Sequence, residues 1–225
     1  MPITDIVESM RAKIKNARND SALAGKDVTL LGASKGQPVA IIQGAIDAGV
    51  TDFGENRVQE AEAKWPALRR QCPEVRLHLI GPLQTNKVRQ AVELFDVIQT
   101  VDRAKLAEAL AKAMREGDKR IPCFIQINTG KELQKGGIKP EEADAFIDYC
   151  KTHLSLPITG LMCIPPVDQQ PSPHFALIRS IAMRHGLDEL SMGMSNDFEI
   201  AVRMGSTCVR LGRVLFGKMM ELPFC

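Results

Sequence analysis

The chain has 225 residues, 44% of them hydrophobic and 25% charged, with 29 Lys and Arg against 27 Asp and Glu. That is enough chain to bury a sizeable core, and a net charge of +2 without a basic block interleaved with aromatics argues against a nucleic-acid surface. No apolar run approaches the roughly 20 residues that cross a bilayer, so no membrane partner is expected.

Residues 1–11 are too charged for a signal peptide. The six cysteines form no C-x-x-C pair and no metal-finger spacing. Cys123, Cys163 and Cys208 sit in apolar runs and read as small buried hydrophobes. A reduced, cytoplasmic setting is the expectation.

An amphipathic helix carrying Ile6, Val7, Met10 and Ile14 on one stripe opens the chain. Strand-like apolar runs then cover 28–33, 51–53, 75–80, 96–101, 121–128, 158–164, 189–192 and 208–216. Helical patterns lie between them at 39–48, 57–70, 85–94, 103–115, 140–154, 172–185 and 197–204. Gly117 and Gly186 read as helix C-caps. Pro38 and Pro140 suit first helical turns, and Pro122 and Pro157 suit strand beginnings. Repeating units of roughly 25 residues predict a (β/α)8 TIM barrel with an extra N-terminal helix. A doubly wound open sheet shares the alternation and stays open as an alternative. No linker or low-complexity tract divides the chain, so residues 1–225 read as a single domain.

In a barrel, chemistry gathers at the carboxyl ends of the strands. Lys35, Glu55, Asn56, His78, Gln84, Asn128, Ser195 and Arg210 fall at or just past those ends. An amine at the end of a buried strand gains neutral character and can form a Schiff base, most often with pyridoxal phosphate (PLP). The alternative for Lys35 is a plain surface lysine. The loop 193–197 leads into a helix, and Gly212-Arg213 interrupts the last apolar run. Together they suit a phosphate, while Ser195 or Asn196 as a simple helix cap is the other reading. Arg210 lies among apolar residues and needs a partner, either Glu55 or the ring nitrogen of a cofactor. The histidines show no ligand spacing, so no metal is expected; His153 and His185 read as helix C-terminal charges. Tyr149 reads as a packing residue and Trp65 as cover for the outer ring.

Six ordered segments go further: LGASK (31–35), FGENRVQE (53–60), HLIGPLQTNK (78–87), GLM (160–162), SMGMSNDF (191–198) and MGSTCVRLG (204–212) with FG at 216–217. In these the chain resembles the pyridoxal phosphate homeostasis proteins. The resemblance implies a barrel like the N-terminal domain of alanine racemase, with PLP held as an aldimine on Lys35. It implies that Ser195 and the backbone at Gly212-Arg213 hold the phosphate, that Arg210 faces the pyridine nitrogen and that Asn56 lines the pocket. It further implies a monomeric protein that binds and exchanges PLP in vitamin B6 homeostasis, possible recipients being PLP-requiring apo-enzymes. Three positions depart from the family pattern: Leu77 for a Trp, Gln134 for a Ser, and Arg213 for a Thr.

Catalysis is not expected. Racemisation in the related fold takes a second base from a further domain, and the sequence ends at 221–225, shortly after the eighth strand. A weak PLP-dependent racemase or transaminase, and a sugar-phosphate isomerase that never bonds to Lys35, are the competing readings.

Overall fold

Each apolar run forms a parallel strand, and the eight strands close in chain order, the first pairing with both the second and the eighth. This computed structural model describes residues 1–21 and 27–217. The strands are Thr29–Ala33 (β1), Asp52–Glu55 (β2), Arg76–Leu79 (β3), Val97–Val101 (β4), Cys123–Ile127 (β5), Ile158–Cys163 (β6), Glu189–Ser191 (β7) and Cys208–Leu211 (β8). Closure decides for the barrel and against the open sheet.

The α-helices among the described residues are Ile3–Asn19 (α1), Val39–Asp47 (α2), Val58–Gln71 (α3), Val88–Leu94 (α4), Ala104–Glu116 (α5), Ala143–Asp148 (α6), Pro171–Arg184 (α7), Phe198–Arg203 (α8) and Arg213–Phe216 (α9). Their apolar stripes face the core. In α5, Leu106, Ala107, Leu110, Ala111 and Met114 recur three or four residues apart, and all are buried. In α1 the buried residues include Val7, Met10 and Ile14, with Ile6 half-buried beside them, and the helix packs on α2 and α8. None of the described helices is long and apolar enough to cross a membrane.

Several expected boundaries move. The strand expected over 208–216 stops at Leu211: Gly212 turns the chain to φ −110°, ψ −80°, and 213–216 winds into α9. This lets Leu215 and Phe216 fold back onto β1, each within 3.3 Å of where a side chain on Gly32 would begin. The helix expected over 140–154 is a 3₁₀ turn, then α6, then a π-helical turn over Tyr149–His153. Gly186 takes the left-handed C-cap conformation at φ 60°. Gly117 does not; the left-handed residue there is Asp118, at φ 48°. The segment 221–225, on which the expectation of a missing second domain rests, lies outside the described residues.

Between strands and helices runs the large apolar layer, and inside the barrel a small cluster of Val97, Phe124 and Met162 packs with Ile164. The interior also holds a group of buried polar residues, Asp52, His78, Gln99, Ser191 and Arg210. His78 Nε2 lies 3.0 Å from Asp52 Oδ1. Burial pushes the imidazole below its usual pKa range, against the pull of the Asp52 carboxylate. Burial also acts to raise Asp52, but hydrogen bonds from His78 and Thr51 and the nearby positive charge leave it net lowered.

These shifts set an acid dependence. A folded state that holds His78 neutral binds fewer protons than the unfolded chain once the pH falls below about 6.5. The stability contributed by the neutral ring is complete above that value and is lost as the pH falls towards the depressed folded value. Urea midpoints are therefore expected to drop between about pH 7.5 and pH 5, and His78→Gln is expected to flatten that slope. An identical slope in wild type and variant would contradict the assignment.

Candidate binding site at the carboxyl mouth of the barrel

A cavity of about 530 Å³ opens at the carboxyl ends of the strands. Lys35, Asn56, Ser195, Arg210, Gly212 and Arg213, which the sequence places in six separate positions, all line it.

Lys35 stands two residues past β1, in a turn braced from behind. Ser34 N–H donates to the Gly54 carbonyl at 3.0 Å, and Ser34 Oγ donates to Glu55 Oε1 at 2.8 Å. Gly36 N–H donates to Glu60 Oε1 at 2.6 Å, while Lys64 reaches the Ser34 carbonyl, Glu55 and Glu60 at once. The neighbouring lysine is thus tied into carboxylates. Lys35 itself is half-buried, and its amine has no hydrogen bond or ion pair among the described residues.

Arg210 is only 5% exposed. One terminal nitrogen donates to Ser191 Oγ at 2.7 Å and the other to the Cys163 carbonyl at 2.8 Å. No carboxylate contacts it among the described residues, so neutral acceptors hold the buried guanidinium against the cavity. The Glu55 alternative is therefore wrong. Glu55 lies behind the sheet, fully buried, accepting from Ser34 and from Trp65 Nε1 at 3.1 Å beside Lys64. Burial raises its carboxyl above the usual range, and Lys64 opposes that. Trp65 is likewise not an outer cover. It is fully buried between α3 and β2, its ring 5.2 Å from that of Phe53.

Ser195 sits in the turn that starts α8. Asp197 accepts the Met194 N–H at 2.6 Å, and the Gly193 carbonyl accepts the Arg210 N–H at 3.0 Å, tying this turn to β8. Gly193 has φ +95°, and a Cβ there would lie 2.6 Å from Ala201 Cβ, so only glycine permits that approach. Opposite, Gly212 and Arg213 begin α9, whose first amides have no partner within the helix. The Arg213 side chain is exposed at the rim. Asn56 is set by a backbone contact: a Cβ on Gly81 would fall 2.3 Å from the Asn56 carbonyl oxygen.

Other candidates go elsewhere. His78 lies in mid-strand and faces a recess at the opposite mouth. Gln84 is an exposed residue before a 3₁₀ turn. Asn128 braces its own loop, donating to the Glu132 and Lys135 carbonyls, and lines a neighbouring recess. Tyr149 points outward and donates to Glu108 Oε1 at 3.0 Å. The apolar wall of Ile80, Ile164, Pro165, Met194 and Ile200 escapes sequence reasoning. Ile164-Pro165 directly follows β6, so the strand-end rule that found Lys35 points there too. No group of three or more His, Cys, Asp or Glu that could hold a metal occurs among the described residues.

The family described as alanine racemase, N-terminal domain, matches residues 10–219. The pyridoxal phosphate homeostasis protein of Pseudomonas aeruginosa is 38% identical over 223 residues, covering 96% of each chain. That of Escherichia coli K12 is 36% identical over 217 residues, 92% of this chain and 93% of its own. Among solved structures, PipY of Synechococcus elongatus without PLP superposes with a TM-score of 0.85 at 36% identity, covering 96% of this chain and all of PipY. PipY with PLP bound gives 0.81 over the same coverage. Alanine racemase of Clostridium difficile, at 14% identity and TM-score 0.71, shares the fold over 95% of this chain and 56% of its own. With relatives this similar over nearly their whole length, the chain belongs to the pyridoxal phosphate homeostasis proteins, within the family of the alanine racemase N-terminal domain.

Proposed function

We propose that the cavity binds pyridoxal phosphate through Lys35 and that the protein holds and exchanges the cofactor without turning over a substrate. The observation that carries this reading is the amine of Lys35, unengaged among the described residues, on the wall of a cavity that also gathers Ser195, Arg210 and the start of α9. When bound, PLP supplies an aldehyde able to form a Schiff base with an amine, water leaving as the C=N bond forms. The residues present suit each part of that molecule. Lys35 offers the amine. Ser195 Oγ and the amides at Gly212-Arg213 offer donors for the phosphate. Arg210 brings a guanidinium that would donate to the ring nitrogen and, because it does not give up a proton, would leave that nitrogen unprotonated. Held this way, the ring would be a weak electron sink. Ile80, Ile164, Pro165 and Met194 line the same cavity and would keep water from a bound ring.

Several features speak for a holder rather than a catalyst. The relatives that match along nearly the whole chain carry the name of homeostasis proteins. The two thiols that sense the charge of Arg210, Cys163 and Cys208, are pushed by burial up to about 12 and about 11, too high to act as bases at neutral pH. Tyr149 faces away. Within this reading residues 1–225 act as one PLP-binding domain, and PLP-requiring apo-enzymes are the natural recipients of released cofactor. Purified protein in heavy water is expected to leave the α-hydrogen of common amino acids unexchanged, and measurable exchange would establish catalysis instead.

Lys35→Ala is expected to abolish the visible absorption band that PLP gives with the wild type while leaving the circular dichroism spectrum intact; an unchanged band would contradict the role of Lys35. Gly81→Ala pushes on the Asn56 backbone, and its PLP dissociation constant is expected to rise about three- to tenfold, the size of one lost polar contact. An unaltered constant in a fluorescence titration would remove Asn56 from the pocket.

A further inference from the structure

A row of hydrogen bonds crosses the barrel from Arg210 to the opposite mouth. Arg210 donates to Ser191 Oγ at 2.7 Å, and Ser191 Oγ donates to Gln99 Oε1 at 2.6 Å. Because β7 and β4 are not neighbours in the sheet, that second bond spans the interior. Gln99 Nε2 lies 2.9 Å from His78 Nδ1, and His78 Nε2 lies 3.0 Å from Asp52 Oδ1. Asp52 does not line the Lys35 cavity. It lines, with Arg76, His78, Gln99 and Glu189, a recess of about 150 Å³ at the amino mouth.

The direction of each bond follows from the two ends. A guanidinium has donors and no acceptor. Ser191 must therefore accept from Arg210 and give its own proton to Gln99. Gln99 must turn its carbonyl to Ser191 and its amide to His78. His78 then accepts on Nδ1 and donates from Nε2 to Asp52, a carboxylate that only accepts. A cation at one end and an anion at the other hold three neutral groups in one polarity, and each bond polarises the next.

We propose that Asp52 is a positioning residue for the cofactor site, acting through His78, Gln99 and Ser191 to hold the Arg210 guanidinium in place against the ligand. The proposal rests on the PLP reading of the cavity. Arg210 has no carboxylate in contact among the described residues; the charge of Asp197 bears on it from across the cavity, and this row is the hydrogen-bonded path that joins it to a second negative charge, Asp52. A second proton on His78 would put two donors face to face at Gln99 and force its amide to flip towards Ser191. The charged and titratable groups that bear on His78 are Asp52 on β2, Arg76 on β3 and Glu189 on β7, with Cys208 on β8 and Asp27 at the rim of the same recess.

The test is a double-mutant cycle on the full-length protein titrated with PLP. Asp52→Asn keeps the shape and removes the charge, and Ser191→Ala cuts the row next to Arg210. Each single variant is expected to raise the PLP dissociation constant roughly five- to tenfold and to shift the pH titration of the visible band. The double variant is expected to match the worse single variant in both readouts, because a row already cut cannot be cut again. Losses that multiply in the double variant, or single variants with wild-type affinity and band, would overturn the proposal. If Asp52→Asn does not fold, Gln99→Met takes its place in the cycle and is judged by the same outcomes. A wild-type protein that gives no Lys35-dependent band would overturn the PLP reading and this proposal together. A normal wild type with multiplying losses would overturn this proposal alone.

Discussion

A guanidinium buried in the middle of a barrel is costly unless its charge is met, and much of the arrangement at the carboxyl mouth answers that constraint. Arg210 sits on β8 with its terminal nitrogens bonded to Ser191 and to the Cys163 carbonyl, so β6, β7 and β8 meet at one side chain. The Gly193 carbonyl accepts the Arg210 amide, fixing the Ser195 turn to the same strand. Arginine cannot shed its proton to lower the cost, as lysine can. The interior has instead become polar along one line, beside a small apolar cluster of Val97, Phe124 and Met162.

Lys35 and its neighbour Lys64 show how two amines of the same chemistry are given different tasks. Lys64 is committed to Glu55, Glu60 and the Ser34 carbonyl, and so braces the turn. Lys35, one residue past Ser34, is left without a partner of its own among the described residues. A turn held by carboxylates on its outer side keeps Lys35 fixed at the cavity wall without engaging its amine among the described residues. Preorganisation of this kind favours tight, oriented capture of a ligand.

The architecture was legible because it rests on periodicity. Eight apolar runs separated by helical stripes leave little beyond closure to decide, and closure came with the β1–β8 pairing. The six cavity residues were legible because they fall where strands end. What failed was side-chain direction. Glu55 and Asn56 are adjacent, yet one is sealed behind the sheet with Trp65 while the other lines the cavity. His78 carries a motif-like signal, but its place in mid-strand turns it towards Asp52 at the far mouth. The strand is predicted through Phe216, five residues past its end at Leu211, because Val214-Leu215-Phe216 is apolar enough to read as strand or as a buried helical turn. The row from Arg210 to Asp52 joins residues from five strands, and no spacing along one chain reveals it.

The most direct test of the central claim is to reduce the PLP-loaded wild-type protein with borohydride and map the modified peptide by mass spectrometry. The expected result is a single phosphopyridoxyl adduct on Lys35. An adduct spread over surface lysines, or confined to Lys64 or Lys135, would contradict it.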